Sequence, residues 1–441
     1  MAVNITKTFP LRHALSFTRG RIPSQLVIQL TDACNASCPQ CGMRRNTPFR
    51  RSLLSLDDCK RIIDHAAASG IAALSFTGGE PFLFYEQLLS LLHHAGDAGI
   101  PSIRTGTNGF LFMNHEKPDF TNRISRLAKA LADTRLYTFW ISIDSPVAET
   151  HERMRGLPGV MKGIEKALPI FHEHGIFPSA NLGITKGILP KRPSASVGLP
   201  ATAEEFQAGF RAFYNRVIDL GFTITNACYP MSVAPTSASS LEAVYGATAE
   251  DDSVMFTNEE KRVMFRALGA TIPQFRSRIR IFSPISALHA LERQYSGDPG
   301  YCRPCRGGSD FFFIDAKCGD TYPCGYRGRD NLGKFWDLDL GRAPYGPSCR
   351  KCDWECFRDP SELLAPFSEF LSSPVRLVKR LFQDSTQTSL WLDDLRYYQA
   401  ADFFHGRQAP DFRKLSRFAR EPHDLSIEEK YAVQQSPGFL A

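Results

Sequence analysis

Within these 441 residues no stretch reaches the roughly 18 consecutive apolar residues of a spanning helix, so none is expected. Low-complexity tracts and internal repeats are also missing, apart from an alternation of β- and α-type segments. With 43% hydrophobic and 22% charged residues, that excludes a mostly disordered, collagen-like or coiled-coil chain. Charge of one sign is scarce. A net +6 is small for this length and gives no reason to expect nucleic acid. Acidic residues are absent before Asp32, while Lys7, Arg12, Arg19 and Arg21 fall in that stretch. No apolar h-region follows them, so a secretory signal is not expected, and the two readings are a transit peptide and an arm packing on the protein. The arm is the expectation, with the cytoplasm as compartment. Twelve cysteines are far too sparse for a disulfide scaffold, yet ten of them fall in tight clusters. Clustered thiols in an enzyme-sized chain read as metal ligands in a reducing compartment.

Apolar β-type runs at 25–30, 71–76, 101–106, 136–143, 177–184 and 222–229 alternate with amphipathic segments at 55–68, 85–98, 122–133, 160–174 and 203–220. Ser55 before Asp58, and Thr202 before Glu205, mark two helix starts. Successive βα units predict an α/β fold, a partial (β/α)6 TIM-type barrel with a parallel sheet. The expected division is an N-terminal basic arm at 1–24, the barrel at 25–235 and a helical connector at 236–295. A cysteine-rich module at 296–360 and a helical tail at 361–441 complete it. Two Pro/Ser/Ala-rich loops, 186–200 and 232–253, follow strands and so sit on the face where active sites collect, as lids or as tolerated insertions. The amphipathic stretch 367–382 carries Arg376, Lys379 and Arg380; it either packs on the core or meets a membrane surface or partner.

After the first strand stand Cys34, Cys38 and Cys41 in the spacing C-x3-C-x2-C. Three thiolates on one loop can hold three irons of a [4Fe–4S] cube and leave the fourth open to a chelating ligand. A zinc knuckle would want a fourth Cys or His nearby, and no His lies between His13 and His65. The second strand ends in Thr77-Gly78-Gly79-Glu80-Pro81, the third in Thr107-Asn108-Gly109. The fourth reads Trp140-Ile141-Ser142-Ile143-Asp144 and precedes His151-Glu152-Arg153-Met154-Arg155-Gly156. Together these resemble the radical SAM superfamily. The resemblance implies a SAM-binding [4Fe–4S] cluster on Cys34, Cys38 and Cys41, and SAM contacts from Gly78, Gly79, Glu80, Thr107, Asn108, Ser142, Asp144, one of Arg153 and Arg155, and Asn181. It also implies reductive cleavage of S-adenosyl-L-methionine to a 5′-deoxyadenosyl radical that abstracts a substrate hydrogen atom. A flavodoxin- or ferredoxin-type protein would supply the electron.

Downstream lie Cys302, Cys305, Cys318, Cys324, Cys349, Cys352 and Cys356. The run from Cys305 through Gly319 to Cys324 is similar to the opening of a SPASM/twitch extension, which carries auxiliary [4Fe–4S] clusters. Seven thiols are one short of saturating two cubes, so one auxiliary cluster is expected, with two as the alternative. Its ligands would be Cys302 or Cys305, Cys324, and two of Cys349, Cys352 and Cys356; Cys318 sits at a hairpin tip where a ligand is least expected. A zinc ribbon from Cys302, Cys305, Cys349 and Cys352 is the competing reading. Cys59 falls in the apolar pattern of a helix and reads as packing. Cys228 closes the sixth strand, where a thiol can return a hydrogen atom to a substrate radical; the alternative is a small buried apolar residue. Oxidation, epimerisation or cross-linking of a peptide or protein side chain is the expected outcome. The same chemistry on a carbohydrate or other metabolite, and a non-catalytic zinc or Fe–S interaction protein, are the alternatives.

Overall fold

The computed structural model describes residues 17, 20–190, 200–230, 241–244, 251–298, 302–340 and 347–420. Nine strands form one sheet: β1 (Gln25–Thr31), β2 (Ala73–Gly78), β3 (Ser102–Thr107), β4 (Leu136–Ser142), β5 (Ser179–Gly183), β6 (Ile224–Cys228), β7 (Arg280–Ile281), β8 (Phe311–Ile314) and β9 (Thr321–Tyr322). The order is β7-β6-β5-β4-β3-β2-β1-β8-β9, and every pairing is parallel except the β8–β9 hairpin. The chain is therefore an α/β protein whose barrel stays open, with β7 and β9 as its edges. Helices α1 (Leu56–Ala68), α2 (Tyr85–Asp97), α3 (Phe120–Ala132), α4 (Ala148–Arg155), α5 (Val160–Glu173) and α6 (Ala203–Leu220) form the crossovers.

Strand alternation separates two environments. Leu26, Ile28, Leu74, Phe76, Ile103, Phe139, Ile141 and Leu182 are fully buried or nearly so in the core shared with the helices. Each such side chain contributes about 1.5–3 kcal/mol by leaving water. Their strand neighbours Arg104, Thr138, Trp140, Ser142, Asn181, Asn226 and Cys228 are only half-buried, so the concave face is polar and reachable from solvent. Gly106 stands opposite Trp140 in the register; a Cβ there would lie 2.1 Å from the indole, so glycine makes room for the ring.

Both edges draw on downstream chain. β7, in the stretch 236–295, extends the sheet beyond β6. β8, from the cysteine-rich stretch, pairs with β1 from Gln25↔Phe311 to Ile28↔Ile314. Phe312 and Ile314 join the main core, while Phe311 and Phe313 turn to a second cluster with Val27, Tyr326, Trp354 and Phe357. The cysteine-rich segment is thus built onto the barrel sheet.

Helices α7 (Asn258–Thr271), α8 (Ile285–Tyr295), α9 (Glu355–Ser372), α10 (Pro374–Gln383), α11 (Ser385–Ala400) and α12 (Phe412–Leu415) follow. Full capping boxes start α6 at Thr202/Glu205 and α7 at Thr257/Glu260, while at α1 Ser55 accepts from the Asp58 amide. Pro360 lies inside α9 and donates no amide to the carbonyl four residues back. That carbonyl, Cys356, accepts instead from Gln25 Nε2 at 3.1 Å, which ties the helix start to β1. Asp394 of α11 caps α8 through the Ile285 and Ser286 amides and pairs with Arg276. At the N-terminus Arg21 pairs with Asp310 at 2.5 Å and Phe17 packs on Phe367. On α10, Val375 and Phe382 are exposed, as is Phe370 at the end of α9. No described helix is long and apolar enough to cross a membrane.

Candidate functional site

Cys34, Cys38 and Cys41 occupy the loop leaving β1, at the carboxyl end of the sheet. Cys38 is buried and the other two half-buried. Amide groups two residues on point back at two of the sulfurs, Ala36 N to Cys34 and Met43 N to Cys41, each at 3.4 Å. Such N–H donors stabilise charge on sulfur. Burial pushes Cys38 up to about 12 and Cys41 to about 11. Uncomplexed, these thiols stay protonated, and metal binding would displace the protons.

Gly78 and Gly79 permit a close approach of the backbone to the cysteine loop. A Cβ at Gly78 would lie 2.1 Å from Thr31 O, and one at Gly79 would lie 2.0 Å from Ala33 O. The space is taken by hydrogen bonds from Gly79 N to Thr31 O and from Glu80 N to Ala33 O, both 2.8 Å. The Gly-Gly pair therefore clamps the end of β2 to the cysteine loop. Glu80 is fully buried; its carboxylate accepts from Phe82 N at 3.1 Å and Asn108 N at 2.6 Å. Burial lifts its pKa to about 7, against those hydrogen bonds. Asn108 in turn donates to Asn35 Oδ1 at 2.8 Å and to Cys34 Sγ at 3.7 Å, while Thr107 Oγ1 accepts from Gly109 N. Glu80 is thus a brace between the Thr-Gly-Gly-Glu and Thr-Asn-Gly turns.

Of the two candidate arginines, the structure turns Arg155 inward and leaves Arg153 exposed. Arg155 pairs with fully buried Asp144 at 2.8 Å, and its carbonyl accepts from Ser37 N at 2.9 Å. Asp144 also accepts from Gln40 Nε2 at 3.0 Å. Burial opposes the Asp144 charge, but Arg155, then His151 and the hydrogen bonds, hold its pKa below the usual range. His151 accepts the Asp144 amide on Nδ1, and burial drives it down to about 4, so it is neutral. Sequence reasoning passed over Gln40 and His151 as functional groups, because only the fold brings them to Asp144. Ser142 and Asn181 are register partners on the concave face, next to this network.

A second constellation lies where β1, β8 and the start of α9 meet. Cys305, Cys324, Cys349 and Cys352 line one cavity, with Leu241, Gly307, Arg327, Trp354 and Phe357 completing its wall. Its empty volume is about 340 Å³, open mouth included. Cys305 N donates to Cys349 O at 2.7 Å, which fixes the two strands of thiols side by side. The i+2 amide geometry of the first loop recurs: Gly307 N, Tyr326 N and Trp354 N donate to Cys305, Cys324 and Cys352. Among the described residues no three His, Cys, Asp or Glu side chains converge on one point as ligands of a single ion do. A tetrahedral zinc site needs its sulfurs about 3.8 Å apart; four irons spread them wider.

The other three downstream cysteines lie elsewhere. Cys302 donates its thiol to Ala290 O at 2.8 Å, and Cys318 is exposed at the hairpin. Cys356 Sγ donates to Glu355 Oε1 at 3.6 Å. Glu355 also bonds Cys228, so the two thiols share one carboxylate beside the concave face. Cys228 donates further to Asn181 Oδ1 at 3.3 Å. Cys59 is buried in the main core. Leu241 to Val244, one described part of the second Pro/Ser-rich loop, bridges to Gly325 and Tyr326 by hydrogen bonds, with Leu241 in the wall of the four-thiol cavity; most of both loops lies outside the described residues.

Residues 28–189 match the model of the radical SAM superfamily. That span carries the motifs on successive strand ends, and it is a radical SAM domain. It is 23% identical over 301 residues to an AdoMet-dependent heme synthase of Oleidesulfovibrio alaskensis, covering 68% of each chain. It is 30% identical over 158 residues to a GTP 3′,8-cyclase of Vibrio parahaemolyticus, covering 34% of this chain and 42% of that one. A crystal structure of Streptococcus suis SuiB bound to S-adenosylmethionine aligns over 75% of this chain and 68% of that one, with a TM-score of 0.48 and 17% identity.

Proposed function

We infer that the protein uses S-adenosylmethionine and a [4Fe–4S] cluster on Cys34, Cys38 and Cys41 to start radical chemistry on a peptide or protein side chain. The observation that carries the first half is the braced cysteine loop: three thiols with amide donors, clamped by Gly78-Gly79 and steadied by Asn108 and Arg155. When bound, these cofactors supply one-electron cleavage of the sulfonium and a carbon-centred radical. The chain's own residues hold the site. Arg155 offers a fixed positive charge and a buried Nε without a hydrogen-bond partner among the described residues. Ser142 and Asn181 present polar groups on the concave face, where substrate must meet the radical. Cys228, on the same face beside Asn181, would return a hydrogen atom.

A second cluster on Cys305, Cys324, Cys349 and Cys352, in a SPASM/twitch-type module, fits four thiols around one largely apolar cavity. It would accept the electron left on a substrate radical. A small-molecule substrate is the second reading, favoured by the names of the heme synthase and GTP cyclase relatives. Anaerobic reconstitution with iron, sulfide, S-adenosylmethionine and dithionite tests the central reading through 5′-deoxyadenosine. Release of the nucleoside is expected, and its absence with the cluster intact would overturn it. Candidate peptides and metabolites added to that assay then separate the two substrate classes.

A further inference from the structure

On the concave face, Arg104 of β3 has no counterpart in the mechanism above. The other buried arginines each have a carboxylate or carbonyl partner in the protein, although Arg155, Arg276, Arg303 and Arg358 leave Nε without a hydrogen bond among the described residues. Arg155 pairs with Asp144, Arg276 with Asp394, and Arg303 and Arg358 with Glu362. Arg280 donates to four oxygens, among them His405 O and Gln408 O. Arg104 differs. Its Nε and Nη2 are sealed from bulk water and have no hydrogen-bond partner among the described residues. The electrostatic neighbours that act on it are Cys356 and Tyr137, neither of them a carboxylate. The residue as a whole is half-buried, so the rest of its side chain borders the open side of the barrel while Nε and Nη2 lie just beneath that border.

Its position follows from strand geometry. Ile103 before it is fully buried in the helix-facing core, and Gly106 two residues on leaves the space above it to the Trp140 ring. Three residues further along the strand, about 10 Å away at 3.3 Å per residue, Thr107 marks the rim where the SAM-binding motifs gather. A charge kept without a protein partner in so dry a place is costly. Nε and Nη2 form the guanidinium edge that grips two coplanar oxygens at once.

We propose that Arg104 is a substrate-binding residue that anchors a carboxylate of the substrate inside the barrel, leaving the rest of the molecule directed toward the cysteine loop. This deepens the reading of the concave face as the substrate side and rests on it. It makes the substrate an acid, whether peptide or metabolite.

The test uses the reconstituted enzyme and its Arg104→Met and Arg104→Lys variants. Iron content and substrate-free 5′-deoxyadenosine release are measured first. Unchanged values in Arg104→Met show that the SAM site is intact, and failure of wild type here condemns the parent reading rather than this one. Melting temperature is then read with benzoate, benzamide and phenyl phosphate as probes. Wild type is expected to rise with benzoate and not with benzamide. Arg104→Met is expected to melt no lower than wild type and to lose the benzoate shift, with Arg104→Lys retaining part of it. A lower melting point for Arg104→Met without a benzoate effect in wild type would make Arg104 a structural group. Equal shifts with benzoate and benzamide would also overturn the proposal, and a larger shift with phenyl phosphate would overturn the carboxylate assignment.

Discussion

The sorting of the seven downstream thiols makes a numerical prediction. Four of them line one cavity and three point elsewhere. If each centre holds one cube, the reconstituted chain carries about eight irons and about eight sulfides. One ligand is too few to remove, because three thiols suffice at the first site. The perturbation is therefore double: Cys349→Ala with Cys352→Ala takes away half of the cavity's ligands. Iron and sulfide should fall to about half, to the single cube of the first loop, and the spectrum of the dithionite-reduced protein should lose one of two signals. The complementary variant, with Cys302, Cys318 and Cys356 all changed to Ala, should keep about eight irons. 5′-Deoxyadenosine release should survive in both, since neither touches Cys34, Cys38 or Cys41. The reasoning is refuted if the triple variant loses the second cluster while the double one keeps it. Zinc at about one per chain without added sulfide would refute it differently, in favour of a ribbon.

Arg155→Met would strand the buried Asp144 carboxylate; a loss of about 3–5 kcal/mol in denaturant unfolding is expected. The double variant with Asp144→Asn should recover much of it. Glu80 gives a pH dependence. Its folded pKa, about 7, lies above the ordinary 4.5, so the native chain binds the extra proton. The stability it contributes is present below pH 4.5 and is lost as pH rises to about 7, on the order of 3 kcal/mol. His151, held near 4, pulls the other way, so the measurement is the difference between wild type and Glu80→Gln in the metal-free chain from pH 4.5 to 8. A difference that does not change with pH would refute it. Cys228→Ala should abolish hydrogen-atom return to the substrate while leaving 5′-deoxyadenosine release intact; full turnover to an unchanged product would exclude the donor role.

Legibility varied with the range of the interaction. Strand and helix identities came from periodicity, and each of the six core strands lies where its apolar run predicts, within a few residues. The cysteine loop and the glycine turns were equally legible, being local spacings at strand ends. Glu80 stood out in the sequence, but one of its partners in the structure, the Asn108 amide, is 28 residues away and depends on β2 and β3 being neighbours. Arg104 left a faint signal, one charge in the middle of a strand otherwise destined for the interior. Glu355 left none beyond standing next to a cysteine.

By itself the sequence determined the α/β alternation, the three-thiol loop and the membership of two cysteine sets, because each is a matter of residue type and short spacing. Tertiary structure alone decided which four of seven thiols share a cavity, since Cys305 and Cys349 are joined by a backbone bridge across 44 residues. It also decided between Arg153 and Arg155, which a helix of eight residues turns to opposite environments. The reason is the same in each case. A side chain's chemistry is set by what surrounds it, and in a wound sheet those neighbours come from distant parts of the chain.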